Sequence, residues 1–547
     1  MLIFPEPHGT VPSGFHQRQK RNERNNGRSM SDLKKKLDKG VAYLKRNGIG
    51  QTLLRAGRKV TLSRPVDYEK WLKAQSADSA ELDRQRAAEL WKKVPVNALL
   101  FSGNAQEEQQ SRESLMRQTF GKLSVYTTDT WNTQNCRKSK YVLLVQAGAT
   151  LRPEAVYKLV RKAEEAQKKV LFYMDHDIQT RDGHLKSPFC KPDYDPVLQS
   201  QMNYLGPVLF ADAELIKDMV PATPDALWKE LVKRAKQICH VPELLYHISE
   251  KMDHELESSV WLQTEKETVR TEPLISVIIP NKDHTEDLIC CIDSILESGG
   301  YEHLEILIVE NNSTQPETFQ TYETLLKQDQ RIRLMNWKGT FNYSRINNDA
   351  AREAKGDYLL FLNNDTKIKK EGAIKELFRC ANTTGAGAVG CRLVYGDGTI
   401  QHGGVVLGYG GVAGHAFEGM AEGDYARQRY ARMIRQMSAV TAACMLVSRN
   451  AFWQIGGFTE ELGVAYNDID LCMKLQKQGY MVLYDPKAEL YHYESQTRGF
   501  EMTAQKAERV KKEADLFCRT WEKELKQGDR FYNPNLTLEK SDFSLKR

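Results

Sequence analysis

Three short, largely apolar runs set the strongest limit on the fold. Ile275–Ile279, Glu305–Val309 and Tyr358–Leu362 each end in polar residues, and the first and third run on into amphipathic stretches. In the stretch after the first run, Leu288, Ile292 and Ile295 fall on one helical face. Buried strands alternating with amphipathic helices imply βαβ units and a largely parallel sheet. In such sheets ligands collect beyond the carboxyl ends of the strands. Asn281, Glu310 and Asn363–Asn364–Asp365 fall there.

The plan occurs twice. VNALLFSGN, KLSVYTTDT and KYVLLVQAGAT repeat the three strands earlier in the chain, but Gln146-Ala147-Gly148 stands in for Asn363-Asn364-Asp365. A period this long implies two similar domains, since solenoid repeats run ~20–50 residues. A length of 547 residues also exceeds what one core holds. The expected layout is a degenerate copy over 94–250, a charged linker over 251–272, the complete domain over 273–525 and a loose tail over 526–547. Asp175 and Asp177 of YMDHD are left as a residual site in the first copy.

The net charge of +6 is local in origin. Residues 1–64 carry 15 Lys/Arg against 4 Asp/Glu, so the rest of the chain is net acidic. Residues 1–30 lack apolar periodicity and read as a disordered basic tail. Residues 31–93 read as a basic helical segment, with Leu33, Leu37, Val41, Leu44, Ile49 and Leu53 at roughly helical spacing. Such a segment can lie on an anionic membrane surface, or dock as an ordinary helix on its own protein. No base-reading module follows it, so nucleic acid is not an expected partner. No apolar run reaches the ~20 residues of a membrane-spanning helix, and MLIFPEPHGT does not form a signal peptide. Ten scattered cysteines without a CxxC pair suit reduced thiols in the cytosol.

Three segments can carry chemistry. Asp365 in FLNNDTKI is a carboxylate at a strand end, suited to a hard cation; Asp365 or Thr366 could equally cap a following helix. In AYNDIDLCMKL, Asp468 and Asp470 open an amphipathic helix. Either they serve the helix dipole, or one of them is a general base. His492 in YHYESQTRG is a metal ligand or a structural histidine, and Arg498 can fork onto a diphosphate or sit in solvent. The glycines of QHGGVVLGYGGVAGHAFEG fit no phosphate-loop or dinucleotide pattern and suit tight turns close to a ligand.

As an ordered set, PLISVIIPNKD, EILIVENNS, FNYSRINNDAA, GDYLLFLNNDT, DGTIQHGGVVLG, GVAGHAFEG, AVTAACMLVSRNAFWQIGGFTEEL, NDIDLCMKL and LYHYESQTRG resemble family 2 glycosyltransferases of the GT-A fold. The similar branch builds O-antigen, rhamnan and other bacterial surface polysaccharides. SPFCKPDYDPVLQSQMNYLGPVLF resembles its tandem-domain members. The resemblance implies tandem α/β domains with mostly parallel sheets flanked by helices. It implies that Pro280, Asn281, Glu310, Asn312, Asn347, Asn363, Asn364 and Arg498 contact the nucleotide. It implies that Asp365 and His492 hold a divalent metal, Mg²⁺ or Mn²⁺, and that Asp468 is the general base. Asn363 replaces the first acid of the family's DxD motif, and Asn467 replaces the acid that often precedes the base.

The activity so implied is inverting transfer from a nucleotide-diphospho-sugar to a glycan or lipid-linked glycan, in the cytoplasm at the inner membrane face. A base there would take the acceptor proton as the hydroxyl attacks the anomeric carbon, with no covalent enzyme intermediate. The competing readings are a nucleotidyltransferase and a nucleotide-sugar-binding or scaffold protein without transfer.

Overall fold

Twenty strands are present among the residues described by the computed structural model, which are 66–121, 123–166, 169–219, 223–259, 272–425, 428–493 and 504–547. The expectations for the basic stretch 1–65, for linker residues 260–271 and for Arg498 lie outside the described residues. The first group comprises β1 (Val96–Phe101), β2 (Ser124–Thr127), β3 (Tyr141–Gln146), β4 (Thr150–Leu151), β5 (Val170–Gln179), β6 (Leu185–Phe189), β7 (Val208–Asp212) and β8 (Gln237–Ile248). The second comprises β9 (Ile275–Asn281), β10 (Leu304–Asn311), β11 (Ile332–Trp337), β12 (Tyr358–Leu362), β13 (Thr366–Ile368), β14 (Ala388–Val394) and β15 (Ile400–His402). It continues with β16 (Val405–Leu407), β17 (Ala413–His415), β18 (Arg435–Gln436), β19 (Cys444–Ser448) and β20 (Val482–His492).

The two sheets have one topology. The first runs β2-β1-β3-β7-β5-β8-β4 and the second β11-β10-β9-β12-β19-β14-β20-β13. Strand for strand, β1, β2, β3, β4, β5, β7 and β8 correspond to β9, β10, β12, β13, β14, β19 and β20, with β11 added at one edge. This is the tandem α/β arrangement that the sequence implied. Each sheet is parallel on one side, through β1–β2 and β1–β3 or β9–β10 and β9–β12. Further along, each is mixed: β7 and β19 enter antiparallel to both neighbours. The chain reaches β19 through the hairpin β16–β17, without the crossover helix that a parallel strand requires.

Central strands buried on both faces read as continuous apolar runs. All of β10 is buried, and its one early charge, Glu305, is satisfied by Ser276 Oγ at 2.6 Å and Arg333 Nη1 at 2.7 Å. Helices Thr285–Ser298 and Ala373–Thr384 cover one face of the second sheet with Leu288, Ile292, Ile295, Ile374 and Leu377.

Three expectations need correction. The start of the expected linker is the helix Glu250–Ser258, which buries Met252 and Leu256 and pairs Asp253 with Arg429 at 2.6 Å. Its few apolar residues are outnumbered by charges, so the sequence resembles a tether.

Residues 528–547 are not a loose tail. They form a strap across both domains, with Phe531, Tyr532 and Leu536 buried. Asn533 Nδ2 donates to Asp175 Oδ2 at 2.7 Å, and Trp71 Nε1 to the carbonyl of Lys546 at 2.6 Å. Toward the hairpin, Leu407 N donates to Asp529 Oδ2 at 2.7 Å and Phe417 N to the carbonyl of Ser541 at 2.6 Å, while Phe543 stacks on Phe417 at 4.6 Å. Each anchor meets a different neighbour, so no periodicity marks the segment.

YMDHD is not a residual site. Asp175 and Asp177 are fully buried. Asp175 accepts from Lys191 N at 2.9 Å and faces His240 Nε2 at 2.7 Å; Asp177 pairs with His247 Nδ1 and Tyr68 Oη. These carboxylates are spent on the fold, as buried charges must be.

Candidate active site

The carboxyl ends of β9, β10 and β12 are tied by one hydrogen-bonded line. Asn364 Nδ2 donates to Asn281 Oδ1 at 2.7 Å, Asn281 Nδ2 to Tyr322 Oη at 2.8 Å, and Tyr322 Oη to Glu310 Oε2 at 2.6 Å. Glu310 also receives Ser313 Oγ at 2.6 Å and the Ser313 main-chain N–H. Burial first, then the bond to the Glu310 carboxylate, raises the Tyr322 hydroxyl well above its ordinary range, so it stays a donor. Parallel register sets Glu310 beside Asn281, and Pro280, half-buried, precedes that pair. Asn312 turns the chain at φ 56° and donates from Nδ2 to the Gly339 carbonyl at 2.9 Å.

Asp365 and His492 meet at the next strand boundary. Antiparallel register faces Thr366 of β13 with His492 of β20, and Tyr493 N donates to the Asp365 carbonyl at 2.9 Å. Both side chains are buried, with Asp365 Oδ1 3.2 Å from His492 Nε2. Gln401 Oε1 lies 2.7 Å from His492 Nδ1 and is an acceptor, so the imidazole proton belongs on Nδ1. Nε2 lies 3.2 Å from Asn363 Nδ2 and is turned toward the Asp365 carboxylate. An imidazole nitrogen and a carboxylate oxygen in that relation are the donor types that a divalent cation takes, with Gln401 orienting the ring from behind. Among the described residues no group of three or more His, Cys, Asp or Glu forms a complete cage.

Asp365 caps no helix, which settles one alternative. The chain enters β13 at Thr366, and the following helix begins only at Ala373 behind Gly372.

The two acids of NDID also separate. In helix Asn467–Lys477, Asp470 is buried, accepts from Thr459 Oγ1 at 2.6 Å and Trp521 Nε1 at 2.9 Å, and pairs with Lys474 at 3.2 Å. Asp468 stays part-exposed, with Oδ1 taking Ile469 N at 2.9 Å and Oδ2 taking Ala442 N at 3.2 Å. The next residue, Ala443, accepts the Asn363 N–H through its carbonyl at 3.0 Å. One short turn thus holds Asp468 on one side and the Asn363–Asp365 strand end on the other.

Not every expected residue joins this cluster. Asn347 is fully buried in helix Tyr343–Glu353, and its Nδ2 bonds the Tyr343 carbonyl of its own helix at 2.8 Å. The hairpin glycines approach the protein's own side chains: a Cβ on Gly403 would lie 2.7 Å from Phe417, and Gly404, at φ 93°, has Met437 at 2.6 Å. Sequence reasoning missed Tyr322, Gln401, the Thr441–Ala443 turn and Asp287. Asp287, in helix Thr285–Ser298, has its carboxyl raised by burial and then by the charge of Asp365. An acid in the first turn of a helix is a weak signal for such a place.

Residues 276–456 match the sequence family described as Glycosyl transferase family 2. Over 454 residues the chain is 31% identical to the uncharacterized protein y4gI of Sinorhizobium fredii, covering 75% of this chain and 50% of that one. It is 32% identical over 456 residues to the O-antigen biosynthesis protein RfbC of Myxococcus xanthus, covering 75% of this chain and 35% of that one. It is 32% identical over 134 residues to the putative teichuronic acid biosynthesis glycosyltransferase TuaG of Bacillus subtilis, covering 23% of this chain and 50% of that one. The chain therefore spans half or less of the length of these relatives.

Proposed function

We propose that the chain, whose residues 276–456 match Glycosyl transferase family 2, transfers a sugar from a nucleotide-diphospho-sugar to a glycan or lipid-linked glycan in bacterial surface-polysaccharide synthesis. Residues 273–525 are the catalytic domain and 94–250 a non-catalytic copy. The line Asn364–Asn281–Tyr322–Glu310 shapes the nucleotide pocket. Asp365 and His492 hold a divalent cation, Mg²⁺ or Mn²⁺, which when bound offsets the charge of the diphosphate leaving group.

Asp468 accepts the proton of the acceptor hydroxyl as that oxygen attacks the anomeric carbon opposite the departing diphosphate. The new glycosidic bond forms as the old one breaks, so configuration inverts in one displacement. Asp470 takes no part, because its carboxylate is occupied within the fold. The observation that carries this proposal is the turn whose Ala442 N–H reaches Asp468 while its Ala443 carbonyl receives Asn363. A base and a strand-end acid sharing one turn serve bond transfer, whereas a pure binding module needs no such base.

Among the described residues no helix is long and apolar enough to cross a membrane. Work at the inner membrane face would then rest on the basic stretch ahead of residue 66. The test is a panel of UDP-, GDP- and dTDP-sugars, with and without Mg²⁺, Mn²⁺ and EDTA, read by nucleotide release and by the anomeric configuration of the product. Metal-dependent release with an inverted product is expected. Release that ignores EDTA, or a retained configuration, overturns the proposal.

A further inference from the structure

The glycine-rich hairpin brings two histidines together. His402 ends β15 and His415 ends β17; their Nδ1 atoms are 3.0 Å apart, with the rings edge-on at 76°. His402 is fully buried. Burial, then the neighbouring His415 and His492, holds it well below the ordinary imidazole range, so the ring is neutral. A neutral imidazole has one donor and one acceptor. The Thr441 main-chain N–H can only donate, and it is directed at His402 Nε2 at 3.4 Å. The His402 proton therefore sits on Nδ1 and is given to His415 Nδ1. Both polar atoms of a buried ring are used, and each requires the specific partner it has.

Thr441 opens the turn that serves the site. Its Oγ1 accepts from Ala443 N at 3.3 Å and its carbonyl from Cys444 N at 3.4 Å. Ala442 N then reaches Asp468, and the Ala442 carbonyl receives Tyr343 Oη at 3.1 Å. On its other side the hairpin is clamped by Asp529 on Leu407 N and Ser541 on Phe417 N. Val405 N also pairs the hairpin with the Ala439 carbonyl at 2.8 Å, just ahead of the turn, and the two imidazoles carry the connection on to Thr441 itself.

We propose that His402 and His415 are positioning residues for the transfer step: as a tautomer-locked pair they fix the Thr441–Ala443 turn and so aim the Asp468 carboxylate. This rests on Asp468 being the base. Misplacing a reacting group by about 1 Å costs on the order of 10²-fold in rate. A pair that acts only on the base side leaves donor binding alone.

The test uses the full chain with H402F, H402Q, H415F and H415N. Mn²⁺-dependent binding of UDP, GDP and dTDP is measured by calorimetry, and kcat and KM with the active member of the nucleotide-sugar panel. H402F removes both nitrogens and is expected to lower kcat roughly 30–100-fold, with donor KM and nucleotide Kd within about threefold. H402Q can accept from Thr441 and donate to His415, and is expected to return to within about tenfold of wild type. The half-buried His415 gives a second pair that does not depend on the folding of H402F: H415F lowers kcat by about tenfold, and H415N, whose Oδ1 restores the acceptor, does not. Wild-type kcat in H415F, or nucleotide binding lost in step with kcat in both Phe variants, overturns the inference. D468N separates this from the parent proposal: full activity there removes the base itself, whereas an inactive D468N beside a fully active H402F removes only the histidine pair.

Discussion

His247 holds in the first sheet the register position that His492 holds in the second: each faces a threonine of the short strand, Thr150 or Thr366. Counted from those threonines, Ala149 stands where Asp365 stands, so the triplet equivalent to Asn363-Asn364-Asp365 is Ala147-Gly148-Ala149, one residue later than the sequence pattern placed it. Without that carboxylate, His247 turns Nδ1 to Asp177, which Tyr68 also engages. His247→Gln is expected to leave Mn²⁺-dependent nucleotide binding unchanged, and His492→Gln to weaken it at least about tenfold. Calorimetry with a nucleoside diphosphate and Mn²⁺ checks the pair. Equal losses would mean that both sheets bind.

Asp468 and Asp470 should part cleanly on substitution. Asp468→Asn is expected to bind nucleotide normally and to lose transfer by about 10²–10⁴-fold. Asp470→Asn disturbs the bonds to Trp521, Thr459 and Lys474 and is expected to cost about 1–3 kcal/mol of stability, with near-normal turnover per folded molecule. Thermal unfolding beside initial rates distinguishes them, and the reverse pattern would exchange their roles.

Tyr322→Phe removes the hydroxyl that joins Asn281 to Glu310. Two buried polar groups lose a partner, at an expected cost of about 1–3 kcal/mol. Nucleotide affinity should fall while the metal dependence of what remains is unchanged. Affinity equal to wild type would take this line out of the nucleotide pocket.

Asp485 gives a pH signature away from the site. Burial pushes its carboxyl up to about 6, and its Oδ2 has no hydrogen-bond partner among the described residues. An acid raised on folding makes the folded chain hold more protons between roughly pH 4 and 6, so stability falls as pH rises through that window. Asp485→Asn keeps an acceptor for Lys487 N and carries no charge. It should gain about 1–3 kcal/mol at pH 7.5 and almost nothing near pH 4. Urea unfolding at the two values decides, and the same gain at both would assign the effect to packing.

Whether a residue was legible in the sequence depended on how local its signal was. Asp365 and His492 end apolar strands, and a polar residue in that place is conspicuous by contrast. The repeat was legible because strand–helix alternation survives the loss of the acids. The NDID segment showed two acids but not which was spent inward, because Trp521 arrives from the junction of two helices 51 residues on. Gln401 and Tyr322 are ordinary residue types whose meaning comes only from the partner opposite. Asn533 meets Asp175 across 358 residues, and no local pattern encodes such a pairing. Asn347 looked like a pocket residue because of its neighbours in sequence, yet helical rotation turns it into the core.

The strap of residues 528–547 fixes an order of events during synthesis. Everything it clasps, from Trp71 to Arg435, leaves the ribosome earlier. A nascent chain can thus complete both sheets while Leu407 and Phe417 still await their partners. Val405 can pair with Ala439 before the strap exists, so the stack of Phe543 on Phe417 is the last clasp on the hairpin to close.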